Sequence, residues 1–474
     1  MQSVKIVRRY LFSWLALLLT LSVIPVAWSE DGQLRARIDA LAQPLITEGK
    51  IVGLAIGIIR GNETYVLEYG EVTKGSREKP TGETIFEIGS VGKVFTGLLL
   101  ADMVERQFVR LDQPVQDLLP SAVTVPKKGD RAITLLDLVT HTSGLPRMPD
   151  NLKPNNRANP YADYTVEHLY EFLSGYSLAR KPGSKYEYSN LGFGLLGHAL
   201  ALRAGMTYEE LLKRRICELL GLKQTTITLT EEQQKRLAQG YDGKGRPIPH
   251  RDMPTLAGAG AHRSSVNDLL RFLRVNIDPS GSPLERALRA SQVLRFESPN
   301  VPSLAMAWRI RYVGSGYSLW HGGGIGGFRS IAFFDPNLKI GMVVLANTAG
   351  SDAGRLASQV MGLLLPPVVG IGATVGWQGG DAVYPTVLKV SPGGPAAKSG
   401  ISVGDRIVGI EDEKGKIVDF KTKSRRDVIG LIRGPHGSTL RLIVELKGSD
   451  ERKVYELIRE IIGPTIAIPP EPEL

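Results

Sequence analysis

The sequence has one cysteine in 474 residues. Cys217 therefore has no partner for an internal disulfide. In Arg215-Ile216-Cys217-Glu218-Leu219-Leu220 it reads as a small core residue on a helix, not a nucleophile. Neither Cys-x-x-Cys nor His-Glu-x-x-His spacing occurs, and the seven histidines are scattered, so no metal and no cofactor are expected. Internal repeats are absent. Past the N-terminal stretch there is no other long apolar run.

What the N-terminus does contain is an address. Lys5, Arg8 and Arg9 precede an uncharged apolar run from Tyr10 to Ala27, and Ala27-Trp28-Ser29 offers small residues where a signal peptidase reads. Residues 1–29 are expected to be a signal peptide, and the protein to be periplasmic or secreted from a bacterial envelope. An uncleaved anchor is the rival reading, because the run can just span a bilayer; only then would the chain be held at a membrane. No cysteine stands at the cleavage point to carry a lipid. The formal charge of +10 becomes +7 when the three N-terminal cations are removed. So mild an excess reads as a solvated basic surface, suits an anionic envelope polymer, and calls for no nucleic-acid partner.

The mature chain divides near residue 362. Before it, Leu54-Ala55-Ile56-Gly57-Ile58-Ile59 and Tyr65-Val66-Leu67-Glu68-Tyr69 flank Arg60-Gly61-Asn62-Glu63 and predict a hairpin. Residues 91–107 predict a helix whose broad apolar face is that of a central element. Ile331 to Phe334 and Ile340 to Leu345 predict strands around Asp335-Pro336-Asn337. Residues 141–161 and 241–263 are rich in Gly, Pro and Asn and predict surface loops. After Leu365-Pro366-Pro367 the texture turns to short strands and Gly-rich turns, and 464–474 is a Pro-rich tail.

Ser90-Val91-Gly92-Lys93 stands where the apolar helix starts. A serine hydroxyl is a weak nucleophile until a base takes its proton. Residues three apart on a helix share a face, and burial disfavours the ammonium form of lysine, so Lys93 can act on Ser90. Ser90 N–H can donate to a developing oxyanion. The same spacing also suits an N-cap serine beside a solvated lysine. A second copy, Ser76-Arg77-Glu78-Lys79, lies in a polar turn and is taken as chance. Tyr188-Ser189-Asn190 adds a phenol that can pass protons and an amide that can fix a substrate carbonyl; it equally fits a turn before a packed helix. His321-Gly322-Gly323-Gly324 adds glycines against which a substrate backbone can lie, with Gly324 N–H as a second oxyanion donor. Its Gly-x-Gly-x-x-Gly spacing is not a dinucleotide site, because a strand follows instead of a helix.

With these motifs together, residues 52–350 resemble the serine β-lactamase and penicillin-binding-protein superfamily, in its class C β-lactamase and D-peptidase branch. The likeness extends through Leu111-Asp112-Gln113-Pro114-Val115, Leu135 to Pro146 and Val343-Val344-Leu345-Ala346-Asn347. The resemblance implies an α+β fold, an antiparallel sheet flanked by helices with a helical subdomain and the site between them. It implies acylation of Ser90, proton work shared by Lys93 and Tyr188, and substrate binding by Asn190, His321, Gly323 and Gly324. Gly92 departs from the Ser or Ala usual there. His321-Gly322-Gly323 replaces Lys-Thr-Gly, removing the charge and hydroxyl that hold a substrate carboxylate, so efficient β-lactam hydrolysis is not expected. His141 reads as structural.

Residues 368–463 resemble a PDZ domain, on Leu388 to Ile401, Val403 to Ile410 and Leu440 to Val444. PDZ domains add a peptide as an extra strand and catch its terminal carboxylate on backbone amides. Gly370-Ile371-Gly372-Ala373 is the candidate carboxylate loop. The organisation expected is 1–29 signal peptide, 30–362 hydrolase, 363–463 PDZ and 464–474 tail. The function expected is an exported serine hydrolase cleaving a peptide or cell-wall-derived amide, or an ester, with the PDZ module binding a peptide end or protein partner. The rivals are a true class C-like β-lactamase, a small-ester esterase and a non-catalytic PDZ-bearing scaffold.

Overall fold

The computed structural model describes residues 30–298, 301–313, 316–377, 384–412 and 414–462. The signal segment and the Pro-rich tail expected from sequence lie outside the described residues.

The predicted hairpin forms as β1 (Gly53–Arg60) and β2 (Glu63–Gly70), turned by Gly61 at a left-handed φ of 58°. The sheet is completed by β3 (Ser303–Leu304), β4 (Arg309–Val313), β5 (Gly316–Ile325), β6 (Phe328–Asp335) and β7 (Ile340–Ala346). Its order is β2-β1-β7-β6-β5-β4-β3, and its neighbouring strands are antiparallel. Side chains alternate between faces along each strand. Met342 and Val344 face α1 (Glu30–Thr47), as does Phe333; Val343 and Leu345 join Ala332 and Phe334 on the opposite face. Both faces are covered, which is why β1 and β7 are apolar runs and not alternating ones. Asn347 closes the sheet end: its Oδ1 accepts Gly53 N–H and its amide donates to the carbonyls of Glu71 and Val72.

The predicted central helix is α2 (Gly92–Glu105), buried along nearly its whole length. Gly97 lets the Met306 carbonyl approach to 2.5 Å from where a Cβ would stand. Beside it lies α3 (Asn190–Ala204). The segment 241–263, expected as a surface loop, is in part core. Ala257–Gly260 forms a buried helical turn between α2 and α3. Its glycines serve contact: a Cβ on Gly258 would meet the Phe193 carbonyl at 2.8 Å and the Gly197 Cα at 3.0 Å. Residues 141–145, also expected at the surface, are buried. In both places composition marks close packing as readily as exposure. Cys217 is a buried core thiol, pushed up to about 12 by desolvation, in a π-helical turn and not a regular helix.

A helix at α4 (Val266–Ile277) covers the sheet face that α2 shares, and α5 (Asp352–Leu364) packs beside α1, so the sequence division near 362 falls in its last turn. A separate apolar core follows, centred on Val387, Ile407, Phe420 and Leu442. It is built from β8 (Ala373–Gly376), β9 (Thr386–Val390), β10 (Arg406–Glu411), β11 (Thr439–Glu445), β12 (Arg452–Ile458) and α6 (Arg425–Ile432). The strand order β8-β9-β10-β11-β12 leaves β8 at an edge, with no strand on its outer side among the described residues. Helix α6 is tied to the first unit: Arg425 Nη1 donates to the Ser298 carbonyl at 2.9 Å and Arg433 Nη1 to the Tyr312 carbonyl at 3.1 Å.

Two cores predict two melting events. Phe420→Ala should lower the stability of the C-terminal unit by about 3–5 kcal/mol while leaving the transition of the larger unit in place, read by calorimetry and limited proteolysis. A single transition that shifts as a whole would show that the cores melt together.

Candidate active site

Ile85–Glu87 pairs with Arg263–Ser265 and delivers the chain to Gly89, whose φ of 48° favours glycine. A Cβ on Gly89 would meet backbone atoms of Gly324 at 3.1–3.2 Å. Residues Gly89–Val91 form a 3-10 turn, and α2 begins only at Gly92. Ser90 thus sits in that turn, two residues ahead of α2 and one further from the helix than the sequence indicates, pressed against β5. The three-residue spacing still works: Lys93 Nζ lies 3.0 Å from Ser90 Oγ.

Lys93 is fully buried. Its Nζ also reaches Asn190 Oδ1 at 2.8 Å and the Ala259 carbonyl at 2.6 Å. Those two oxygens only accept, so each takes an N–H bond from Lys93, and the same Nζ also meets Ser90 Oγ. Tyr188 OH donates to Ser90 Oγ at 2.7 Å, so the serine oxygen is held between the phenol and the amine. The Lys93 ammonium would also lie 5.0 Å from the Tyr188 ring centre and 5.6 Å from that of Phe193. Ser189 caps α3 through its hydroxyl, which accepts from Gly192 N–H, and this places Tyr188 and Asn190 either side of the helix start. Asn190 Nδ2 is buried and has no protein partner among the described residues, as suits a donor awaiting a substrate oxygen.

The glycines of β5 form the opposite wall. A Cβ on Gly323 would fall 2.3 Å from the Ile88 carbonyl and 3.1 Å from Ser90 N, so nothing larger fits. The Gly326-Gly327 turn is closed by the Ile325–Phe328 pair. Hydrogen-bonded and non-hydrogen-bonded pairs alternate along the ladder, which turns Gly324 N–H away from β6 toward the cleft. Ser90 N–H and Gly324 N–H therefore lie on the two segments that meet at Gly89, as the candidate pair of donors. His321 is buried and lies at hydrogen-bond distance, 2.6 Å, from the Gly322 carbonyl through Nδ1. Burial first, then the nearby Arg309 and Lys93, hold its pKa well below the usual histidine value, so it is a neutral group.

Three contributors have no clear sequence signal. The Ala259 carbonyl is backbone and invisible to a motif. Arg309 opens β4, and its guanidinium lies 4.9 Å from the Trp320 ring centre and 5.9 Å from that of Tyr188. An arginine directly after the apolar run Leu304-Ala305-Met306-Ala307-Trp308, twelve positions before the His-Gly-Gly-Gly run, was the available hint. His262 accounts for Gly92: a Cβ there would stand 2.1 Å from His262 Nδ1. That imidazole is buried, stacks on Phe95 and contacts Tyr208 OH at 3.0 Å, and Tyr208 in turn contacts Thr96 at 2.6 Å. Ser76 and Lys79 are exposed in a loop, away from this cluster.

In the C-terminal unit the candidate loop is only partly open. Gly370 pairs with Glu460, Ile371 is a core residue whose carbonyl accepts from Ala396 N–H, and Gly372 is left-handed at φ 71°. Ala373 begins the edge strand β8.

The β-lactamase family model matches residues 38–364, more than half of the sequence. The chain belongs to the β-lactamase family. It is a serine hydrolase, and a PDZ domain model matches residues 386–446, a range that begins after the candidate loop. A β-lactamase of Pseudomonas fluorescens is 32% identical over 54% of this chain and 69% of its own length. The D-alanyl-D-alanine-carboxypeptidase/endopeptidase AmpH of Escherichia coli K12 is 31% identical over 50% of this chain; the alignment spans 60% of AmpH. A solved β-lactamase/D-alanine carboxypeptidase from Yersinia pestis aligns with a TM-score of 0.63 at 26% identity, covering 71% of this chain and all of that one.

Gly92→Ala should clash with His262, costing about 1–3 kcal/mol and slowing fluorophosphonate labelling of Ser90. Adding His262→Ala should recover much of both, as read by melting curves and labelling rates; no recovery would mean the two residues do not share that space. Acid should also act through the buried imidazoles. His262 is lowered to about 3, by burial foremost and by Lys93, while the unfolded chain titrates near 6.5. Stability from its neutrality is complete above pH 6.5 and drains as pH falls toward 3, by up to about 1.4 kcal/mol per pH unit. Melting temperatures between pH 7 and 4 should fall less steeply for His262→Gln than for the wild type.

Proposed function

We propose that the protein is an exported hydrolase that cleaves an amide or ester of a peptide or cell-wall-derived substrate through acyl-Ser90. The carrying observation is the fixed chain of contacts from Tyr188 OH to Ser90 Oγ to Lys93 Nζ. Lys93 accepts the serine proton as Oγ bonds to the substrate carbonyl carbon. The oxyanion lies between Ser90 N–H and Gly324 N–H. Tyr188 protonates the leaving group and regains a proton from Lys93, which meets the same Ser90 Oγ. Water then releases the acyl group by the reverse relay. Asn190 Nδ2 holds the acyl amide carbonyl.

Arg309 bears on the substrate. Neutral His321 cannot supply the charge of a Lys-Thr-Gly lysine, yet a guanidinium lies beside the Tyr188 ring. This supports a substrate with a carboxylate near the scissile bond, as in D-alanyl-D-alanine peptides. The PDZ unit is proposed to bind a peptide end or protein partner along β8, and the expected signal segment supports a periplasmic or secreted location.

Ser90→Ala should abolish p-nitrophenyl acetate turnover and the fluorophosphonate adduct, mapped by intact mass and peptide analysis. Equal turnover by the variant would point to a scaffold. Acyl-D-alanyl-D-alanine should be cleaved and nitrocefin opened poorly; rapid nitrocefin turnover would make the protein a working β-lactamase instead.

A further inference from the structure

His141 reads as structural from sequence, but its contacts converge on the proton-transferring tyrosine. It is fully buried and adopts a left-handed φ of 57°. Its carbonyl accepts from Glu187 N–H at 2.7 Å, and its Nδ1 accepts from Ser189 N–H at 3.0 Å. The two bonds bracket Tyr188 in sequence. The imidazole also lies over the phenol ring, with centres 4.4 Å apart and planes tilted by 30°. The neighbouring turn adds two further ties, Gly183 N–H to the Thr142 carbonyl at 2.8 Å and Asn190 N–H to the Arg147 carbonyl at 2.9 Å.

An acceptor at Nδ1 puts the ring proton on Nε2 and requires the neutral imidazole. Burial foremost, and then the neighbouring guanidinium groups of Arg309 and Arg147, favour that form. A leucine of similar size would fill the space without accepting from Ser189, and it would resist the left-handed backbone. The residue type and the conformation are both explained by what they do to Tyr188.

We propose that His141 is a positioning residue for Tyr188, holding the phenol at hydrogen-bonding distance from Ser90 through a bond between its carbonyl and the residue before, a bond between its imidazole and the residue after, and ring contact with the phenol itself. The inference rests on the serine-hydrolase reading. Its lever is geometry, so small displacement should cost rate and not substrate binding.

The test is a double-mutant cycle on the full chain, read with p-nitrophenyl acetate and with fluorophosphonate labelling of Ser90. His141→Ala should lower kcat about 30-fold with KM little changed. His141→Asn keeps an acceptor and tolerates the left-handed φ while losing the ring; it should lose only about 3- to 10-fold. In a Tyr188→Phe background, which has already lost the phenol, either change should cost less than about 2-fold. If His141→Ala does not fold, the Asn variant runs the same cycle. The proposal is overturned if both variants match the wild type, if Asn is as impaired as Ala, or if the losses are equal in the two backgrounds. Absent labelling of wild-type Ser90 would instead sink the hydrolase reading and the proposal with it. Labelled Ser90 and an impaired Tyr188→Phe, with position 141 indifferent, would sink this inference alone.

Discussion

The site depends on one amine held by two oxygens that cannot give a proton back. Asn190 Oδ1 and the Ala259 carbonyl fix Lys93 Nζ from two sides. The remaining direction is Ser90 Oγ. Around this point the fold assembles three separate segments: the start of α2, the start of α3 and the buried turn at Ala257–Gly260. None is catalytic alone. Burial first, and then the cations around them, hold His141 and His321 beside this point well below the usual histidine value.

Packing explains features that chemistry does not. Gly92 looks like a weakness in the helix until His262 is seen where its side chain would be. The pair exchanges volume across the interface between α2 and the segment behind it. Tyr208 OH, itself bonded to Thr96, then meets Nε2 of the imidazole, so the polar group sits in the core without being wholly stranded. Substituted residues in a familiar motif are often intelligible only with the atoms that moved in to meet them.

Much of this was legible in the sequence, and for physical reasons. The β1–β2 hairpin, α2 and the β6–β7 pair carry strong apolar patterns bounded by turn residues, so period and punctuation agree. Ser90, Lys93, Tyr188 and Asn190 were legible as motif pieces, and the structure brings them within hydrogen-bonding reach. The Ala259 carbonyl was not, because a backbone oxygen leaves no signature. Nor was Arg309, whose relevance comes from a side chain reaching from β4 toward the Tyr188 ring. Residues 257–260 were misplaced at the surface because glycine marks tight contact and open turns alike.

Arg425 and Arg433 anchor the two ends of α6 to backbone carbonyls of the larger unit, and Arg433 reaches Tyr312, three positions along β4 from Arg309. The Arg433 bond fastens the smaller unit to the strand that carries Arg309. A polymer gripped along β8, as proposed above, would then be held by a unit in direct contact with the hydrolase, which raises its local concentration there more than a flexible tether would.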